Sequence, residues 1–183
     1  MIIGIDPGMS GAIVVRSQGW TRIYDIPTVK TATVSGNNKK QQNDYDLQGL
    51  QKIVSSIVKN WKDKDKAIIV CEYSAGMAFK RTKFRGEHFD DSKTAWKKGY
   101  GFGIIRALFA CYGLDFTFTP RPGDWKRRLK LTDSSLTYEQ KKEKARLMAI
   151  ELFPVLEKYL KRKKDADRAE ALLLTVWAER KAK

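Results

Sequence analysis

Three segments of the sequence place carboxylates where an apolar core ordinarily excludes charge. Asp6 follows the apolar run IIGI, and Glu72 follows the run AIIVC. Asp167 and Glu170 lie three residues apart in DADRAEALLL, so a helix would present both on one face. Ionised acids gathered beside a core need a compensating cation. Carboxylate oxygens suit Mg²⁺ or Mn²⁺, and the acids can share such an ion in a metal centre if the strands that end at Asp6 and Glu72 are parallel neighbours, which the sequence alone leaves open.

Phosphodiester hydrolysis is a reaction that such a centre could perform. Two divalent ions about 4 Å apart can stabilise both the attacking and the leaving oxygen. The charge balance indicates a matching substrate, since 36 Lys and Arg against 21 Asp and Glu give a formal net charge of +15. Such a field attracts a polyanion and holds it by counterion release, so nucleic acid is the expected partner. No long amphipathic helix with Lys opposite aromatics is visible, and a membrane partner is not expected.

Short β-type runs near the start of the chain are the elements that would position Asp6. Residues 2–5, 12–15 and 20–26 predict three sequential strands, which indicates a meander. Residues 27–45 are polar and predict a surface loop, which ends where Asp46 can cap a helix.

The rest of the chain predicts strands and helices in alternation. Thr137 with Gln140 resembles a capping box, and Pro154 should stop the helix that begins there. In chain order, the pattern predicts a helix over 47–61, a strand over 67–71, a helix over 92–112, a short strand at Phe116 and Phe118, and helices over 137–153 and 165–180. This order indicates one α/β domain spanning residues 1–183, with a mixed sheet covered by helices on its faces.

The sequence also favours a soluble cytoplasmic protein. It contains no apolar run long enough for a membrane span, and MIIGIDPG resembles no secretory leader. Cys71 and Cys111 lie in apolar runs, where cysteine behaves as a small hydrophobe, which fits a reducing compartment.

Four motifs in a fixed order give the sequence a family resemblance. GIDPGMSGA at 4–12, CEYSAGM at 71–77, KKGYGFGIIRALF at 97–109 and DADRAEALLL at 165–174 resemble, in this order, segments of the RuvC family of Holliday-junction resolvases. The resemblance implies a ribonuclease H-like fold with a five-stranded mixed sheet and helices on both faces. It also implies a homodimer in a bacterial or phage-infected cell, which makes paired Mg²⁺-dependent nicks in four-way or otherwise branched DNA.

The same resemblance identifies Asp6, Glu72, Asp167 and Glu170 as the four metal-binding acids, serving two Mg²⁺ ions or Mn²⁺ in their place. RAEALLL is most similar to phage members, since bacterial members usually have Asp at the position of Glu170.

Each acid also has an ordinary structural explanation. Asp167 and Glu170 form a spacing typical of helix capping, Asp6 could be a turn residue, and Glu72 could be a surface acid. Asp165 is expected to cap the helix that carries the acid pair. Two other functions remain open: a ribonuclease H-like nuclease that acts on RNA–DNA hybrids, flaps or forks, and an inactive junction-binding protein.

A basic segment that follows Glu72 is the candidate for direct DNA contact. It interleaves cations and aromatics, which suits phosphate binding and base stacking, although a solvated loop is an equally good interpretation. Its candidate residues are Phe79, Lys80, Arg81, Lys83, Phe84 and Arg85. A second candidate set for phosphate binding is Lys126, Arg127 and Arg128, and the lone His88 is expected to be a solvated surface residue.

Salt dependence separates these interpretations of the basic segment. Changing Lys80, Arg81, Lys83 and Arg85 together to Ala should weaken junction binding and flatten the plot of log affinity against log salt, because fewer counterions are released. Phe79→Ala or Phe84→Ala should reduce cleavage and leave the slope intact, since stacking releases no counterions. An unchanged slope in the quadruple variant would assign the cations to a solvated loop.

Overall fold

The computed structural model describes residues 1–35, 38–59, 61, 67–74 and 92–183 of the chain. Its strands are β1 (Ile2–Asp6), β2 (Ala12–Ser17), β3 (Trp20–Asp25), β4 (Thr28–Ser35), β5 (Asn38–Tyr45) and β6 (Ile68–Cys71). Its α-helices are α1 (Leu47–Lys59), α2 (Ser92–Ala110), α3 (Pro122–Arg128), α4 (Tyr138–Leu152) and α5 (Ala166–Ala182). Short 3-10 helices at Pro154–Tyr159 and Lys163–Asp165 connect α4 to α5.

A mixed sheet in the order β3-β2-β1-β6 forms the centre of the protein. β1, β2 and β3 pair antiparallel as a meander, and β6 pairs parallel to β1. The meander and the mixed α/β class predicted from the sequence are therefore confirmed.

The expected fifth strand is reduced to a single parallel bridge between Val70 and Phe118 within the described residues. The Thr117 hydroxyl accepts a hydrogen bond from the Ile69 N–H at 3.1 Å, so a side chain takes the place of a regular backbone partner. Pro120 follows and has no N–H to extend a ladder. Among the described residues the sheet therefore has four strands. The segment around Phe118 follows the β6 edge through a few backbone hydrogen bonds, among them Cys71 N–H to the Phe118 carbonyl at 3.1 Å and Tyr73 N–H to the Pro120 carbonyl at 2.8 Å.

The prediction of a surface loop over residues 27–45 is wrong. β4 and β5 form an antiparallel hairpin that is paired from Thr28↔Tyr45 to Ser35↔Asn38. Val29, Thr31 and Thr33 are β-branched, and this local preference for extended backbone outweighs the polar composition that suggested a loop. The hairpin forms a second, two-stranded sheet.

Alternate residues of the central sheet pack into two separate apolar clusters. Ile3 and Ile5 belong to the cluster that also contains the buried residues of α1 and Ile105 and Phe109 of α2. Val14 and Val70 belong to the cluster formed with α3, α4 and α5. This period-two alternation places helices against both faces of the sheet.

Helix ends follow the sequence signals, with one exception. Asp46 caps α1 by accepting from the Gly49 N–H at 2.9 Å, and Thr137 with Gln140 forms the expected capping box of α4. Asp165 occupies the N-cap position of α5, but its side chain makes no capping hydrogen bond. Its carboxylate accepts instead from the guanidinium groups of Arg162 and Arg168 and from the Arg162 N–H, which ties the preceding 3-10 turn to α5.

Helix α5 lies directly on strand β1 at Gly4. A Cβ atom at Gly4 would come within 2.2 Å of the Ala171 carbonyl oxygen and within 2.7 Å of the Thr175 Cγ2. The absence of a side chain therefore allows the α5 backbone to approach the strand. Within the described ranges, none of the helices is both long and apolar enough to span a membrane.

The Gly4 contact predicts a specific packing defect. Gly4→Ala should destabilise the protein by about 1–3 kcal/mol, because the added methyl group meets backbone atoms that cannot move aside cheaply. Gly103→Ala in α2 is the matched control, since a Cβ there has no neighbour within 4 Å, and it should be neutral or slightly stabilising. Chemical denaturation compares the two variants, and equal stabilities would contradict the proposed close contact.

Candidate metal centre

Asp6 and Glu72 lie side by side because they follow paired positions on parallel strands. Ile5 of β1 is in register with Cys71 of β6, and the Glu72 N–H donates to the Ile5 carbonyl at 2.9 Å. The sequence alone left open whether the two strands were neighbours. The structure brings both acids to the same edge of the sheet.

Helix α5 adds the other two acids. Asp167 and Glu170 lie in its first turns, where α5 packs against β1 and β2. Carboxylate oxygens of Asp6, Asp167 and Glu170 lie within 4.8 Å of one another, a spacing at which three acids can share a cation. One Asp6 oxygen also accepts from the Gly8 N–H at 3.1 Å, which fixes the orientation of its carboxylate.

Glu72 faces the same cleft, but its carboxylate is hydrogen-bonded to a residue of α3 and not to a member of the acidic cluster. Its Oε2 accepts a hydrogen bond from the indole Nε1 of Trp125 at 2.6 Å, and Trp125 is fully buried. The four acids predicted from the sequence all line one cleft of about 530 Å³. Glu72 therefore stands beside the three clustered acids, held by α3.

Two lysines bind the clustered acids. Lys126 of α3 donates to Glu170 at 2.8 Å, and Lys142 of α4 donates to Glu170 at 2.9 Å and to Asp167. Lys126 was predicted as a phosphate ligand, and its amine in fact lies at the rim of the acidic cluster. Lys142 was missed, because its segment EQKKEK has the composition of an ordinary solvated helix face.

The lysine contacts are relevant to the interpretation that Asp167 and Glu170 only cap helix α5. Asp167 accepts a hydrogen bond from the Lys142 amine, and the residue at the N-cap position of α5 is Asp165. Both acids thus face an amine and the cleft.

Burial and crowding change the protonation of the site. Burial, followed by the charges of Glu72, Asp167 and Glu170, raises the pKa of Asp6 to about 7. Burial also raises the pKa of Glu72, against the opposing effect of Lys126. Burial by itself lowers the pKa of Lys142, but the neighbouring Glu170 and Asp167 reverse this effect and raise it. Even with two lysines, the site favours an added positive charge.

The remaining candidate residues lie elsewhere. Arg127 and Arg128 are exposed on α3 beside Lys126. The basic-aromatic candidates and His88 lie outside the described residues; the candidates are Phe79, Lys80, Arg81, Lys83, Phe84 and Arg85.

Comparison with known proteins adds no assignment. No protein-family model matches the chain, and a search of curated proteins finds no significant match.

The raised pKa of Asp6 predicts how pH changes the stability of the metal-free protein. Asp6 titrates near 3.8 when unperturbed and at about 7 in the folded chain, so the folded state holds the extra proton between these values. Stability should therefore fall as pH rises from about 4 to about 7. Asp6→Asn carries no charge, and in EDTA it should exceed the parent by about 1–3 kcal/mol at pH 8 and by less at pH 5.

Chemical denaturation at both pH values measures this difference. Asp115→Asn is the control, because Asp115 is exposed, pairs with Arg106 and does not line the cleft, and its effect should not change between pH 5 and pH 8. An advantage of Asp6→Asn that is equal at both pH values would contradict the crowding of these carboxylates.

Proposed function

We propose that the protein is a metal-dependent nuclease that cleaves branched DNA. The observation that carries the proposal is the meeting of carboxylate oxygens from β1 and α5 within 4.8 Å, with Glu72 at the end of the adjacent parallel strand. All-oxygen donor sets of this kind suit Mg²⁺ or Mn²⁺. A net charge of +15 supplies the attraction for a polyanionic substrate.

The residues of the cleft divide into two roles in this proposal. Asp6, Asp167, Glu170 and Glu72 would hold Mg²⁺, which when bound would stabilise charge on the phosphate oxygens and activate water for hydrolysis. Lys126 and Lys142 already face the acids, and on metal binding their amines would be released to contact a phosphate of the DNA. Trp125 orients Glu72 through its indole N–H.

The substrate is proposed on the resemblance to the RuvC family. A four-way junction cut by paired nicks requires two active sites related by a two-fold axis, and a homodimer provides this arrangement. A nuclease for RNA–DNA hybrids or for flaps and forks would use the same acids, so substrate comparison is part of the test.

A second candidate function, an inactive junction-binding protein, is favoured by the lysine contacts. Lys126 and Lys142 neutralise part of the acidic cluster, as they would in a purely structural ion-pair network. In such a protein, metal would neither stabilise the fold nor support cleavage.

Asp167→Asn separates catalysis from structure. Asn retains an oxygen that can accept from Lys142 but loses the negative charge needed to bind a cation. We expect the variant to remain folded, to bind four-way junctions, and to lose Mg²⁺-dependent nicking by about a hundredfold or more. Mg²⁺ should also raise its melting temperature less than it raises that of the parent.

Glu143→Gln is the matched control, since Glu143 is paired with Arg146 on α4 and does not line the cleft, and it should nick normally. Each protein is assayed on a four-way junction, a flap and an RNA–DNA hybrid, with Mg²⁺ or EDTA, and its mass is measured by sedimentation. Normal nicking by Asp167→Asn would refute the metal site. A parent protein that binds junctions without cleaving them would support the inactive alternative, and a strictly monomeric protein that resolves junctions would refute the dimer.

A further inference from the structure

A second pocket opens beside the metal cleft between the end of α3 and the start of α4. It has a volume of about 350 Å³, which falls within the range of small-molecule sites. Its floor includes Leu131 and Ala145, which are both almost fully buried. Its rim includes Tyr138, whose side chain is 69% exposed, and the hydroxyl residues Thr132 and Ser134. The pocket thus has an apolar floor, with an aromatic ring, hydroxyl groups and the charged residues Asp133 and Lys141 around it.

The pocket and the metal cleft share a wall. Lys126, Tyr138, Lys142 and Glu170 line both, so the two lysine amines lie at the boundary between them. A ligand that extends across this boundary would place an anionic group near the amines and an uncharged group against Leu131. A nucleotide has this distribution of charge.

The turn that forms the pocket is fixed by the surrounding backbone. Lys130 adopts a left-handed conformation with φ of 57°, and the Leu131 N–H donates to the Lys126 carbonyl at 2.9 Å. The Asp133 carboxylate then accepts from both the N–H and the hydroxyl of Ser135, at 3.0 and 2.6 Å. These contacts hold the shape of the pocket in the free protein, so a ligand need not order it.

We propose that this pocket receives the nucleobase of a nucleotide next to the phosphate bound at the metal cleft. The inference rests on the proposed nuclease function and adds a base-binding subsite to it. Tyr138 is the residue placed to stack on the base, because its ring is exposed at the rim, 5.9 Å from the Lys142 amine. The apolar floor disfavours a second phosphate, and the rim hydroxyls can pair with the polar edge of a base.

Binding of mononucleotides in Mg²⁺ tests the pocket without requiring cleavage, because a nucleoside monophosphate contains no phosphodiester bond. Deoxynucleoside monophosphates should shift the NMR methyl signals of Leu131 and Ala145, and deoxyribose 5-phosphate, which lacks a base, should not. Tyr138→Ala should weaken nucleotide binding by about tenfold, and Tyr138→Phe should retain it, since phenylalanine also stacks. Tyr159→Ala removes a comparably exposed tyrosine that does not line the pocket, and it should bind as the parent does.

Abasic junctions test the same pocket during cleavage. Removing the base beside the scissile phosphate should raise the KM of the parent by about tenfold, and the same lesion should have little effect on Tyr138→Ala. The base subsite would be refuted if the abasic lesion affected the parent and Tyr138→Ala equally, or if nucleoside monophosphates and deoxyribose 5-phosphate caused equal NMR shifts. Either result would leave the nuclease proposal intact. Base-dependent shifts in a protein that cleaves none of the substrates would refute the nuclease proposal and support the base subsite.

Discussion

Helix α5 rests on strand β1 at Gly4, and this close approach determines where the acidic cluster forms. Because no side chain intervenes, the helix backbone lies against the strand, and acids from distant parts of the sequence meet at one edge of the sheet. Parallel pairing of β6 with β1 then adds Glu72 at the same edge. The acids therefore stand on regular elements with buried faces, which hold functional groups more rigidly than loops do.

Because the acids stand on rigid elements, their negative charges are held close together. Lysine side chains on the surrounding helices offset the electrostatic repulsion. Lys126 and Lys142 reach the cluster only because α3 and α4 pack against the same face of the sheet as α5. Both amines lie against carboxylates, and the neighbouring Glu170 and Asp167 raise the pKa of Lys142, which keeps its amine charged. In the proposed nuclease, a cation that enters the cluster would compete with these amines for the carboxylates, and the displaced amines would become available to a phosphate.

Much of this arrangement could be predicted from the sequence, and the failures have physical causes. Asp6 and Glu72 were recognisable because each ends an apolar run, and Asp167 with Glu170 because a three-residue spacing defines a helix face. Lys142 gave no signal, since its role depends on packing between α4 and α5 and not on its neighbours in sequence. The β4–β5 hairpin was missed because polar strands lack the alternating apolar residues by which a half-buried strand is recognised. The segment around Phe118 adds only one bridge to β6 in the described residues, because Thr117 accepts from the Ile69 N–H with its side chain and Pro120 has no N–H to continue the ladder.

The placement of the acids on β1 and α5 also has a consequence for biosynthesis. Residue 6 leaves the ribosome long before residues 167 and 170, and the cluster cannot form until α5 has been translated and has settled on β1. Nascent chains that end before α5 carry most of the positive charges of the sequence but lack Asp167 and Glu170, two of the four acids of the cleft. In the proposed nuclease, a partly synthesised chain would adhere to nucleic acid without cutting it, and cleavage would begin only when the fold is complete.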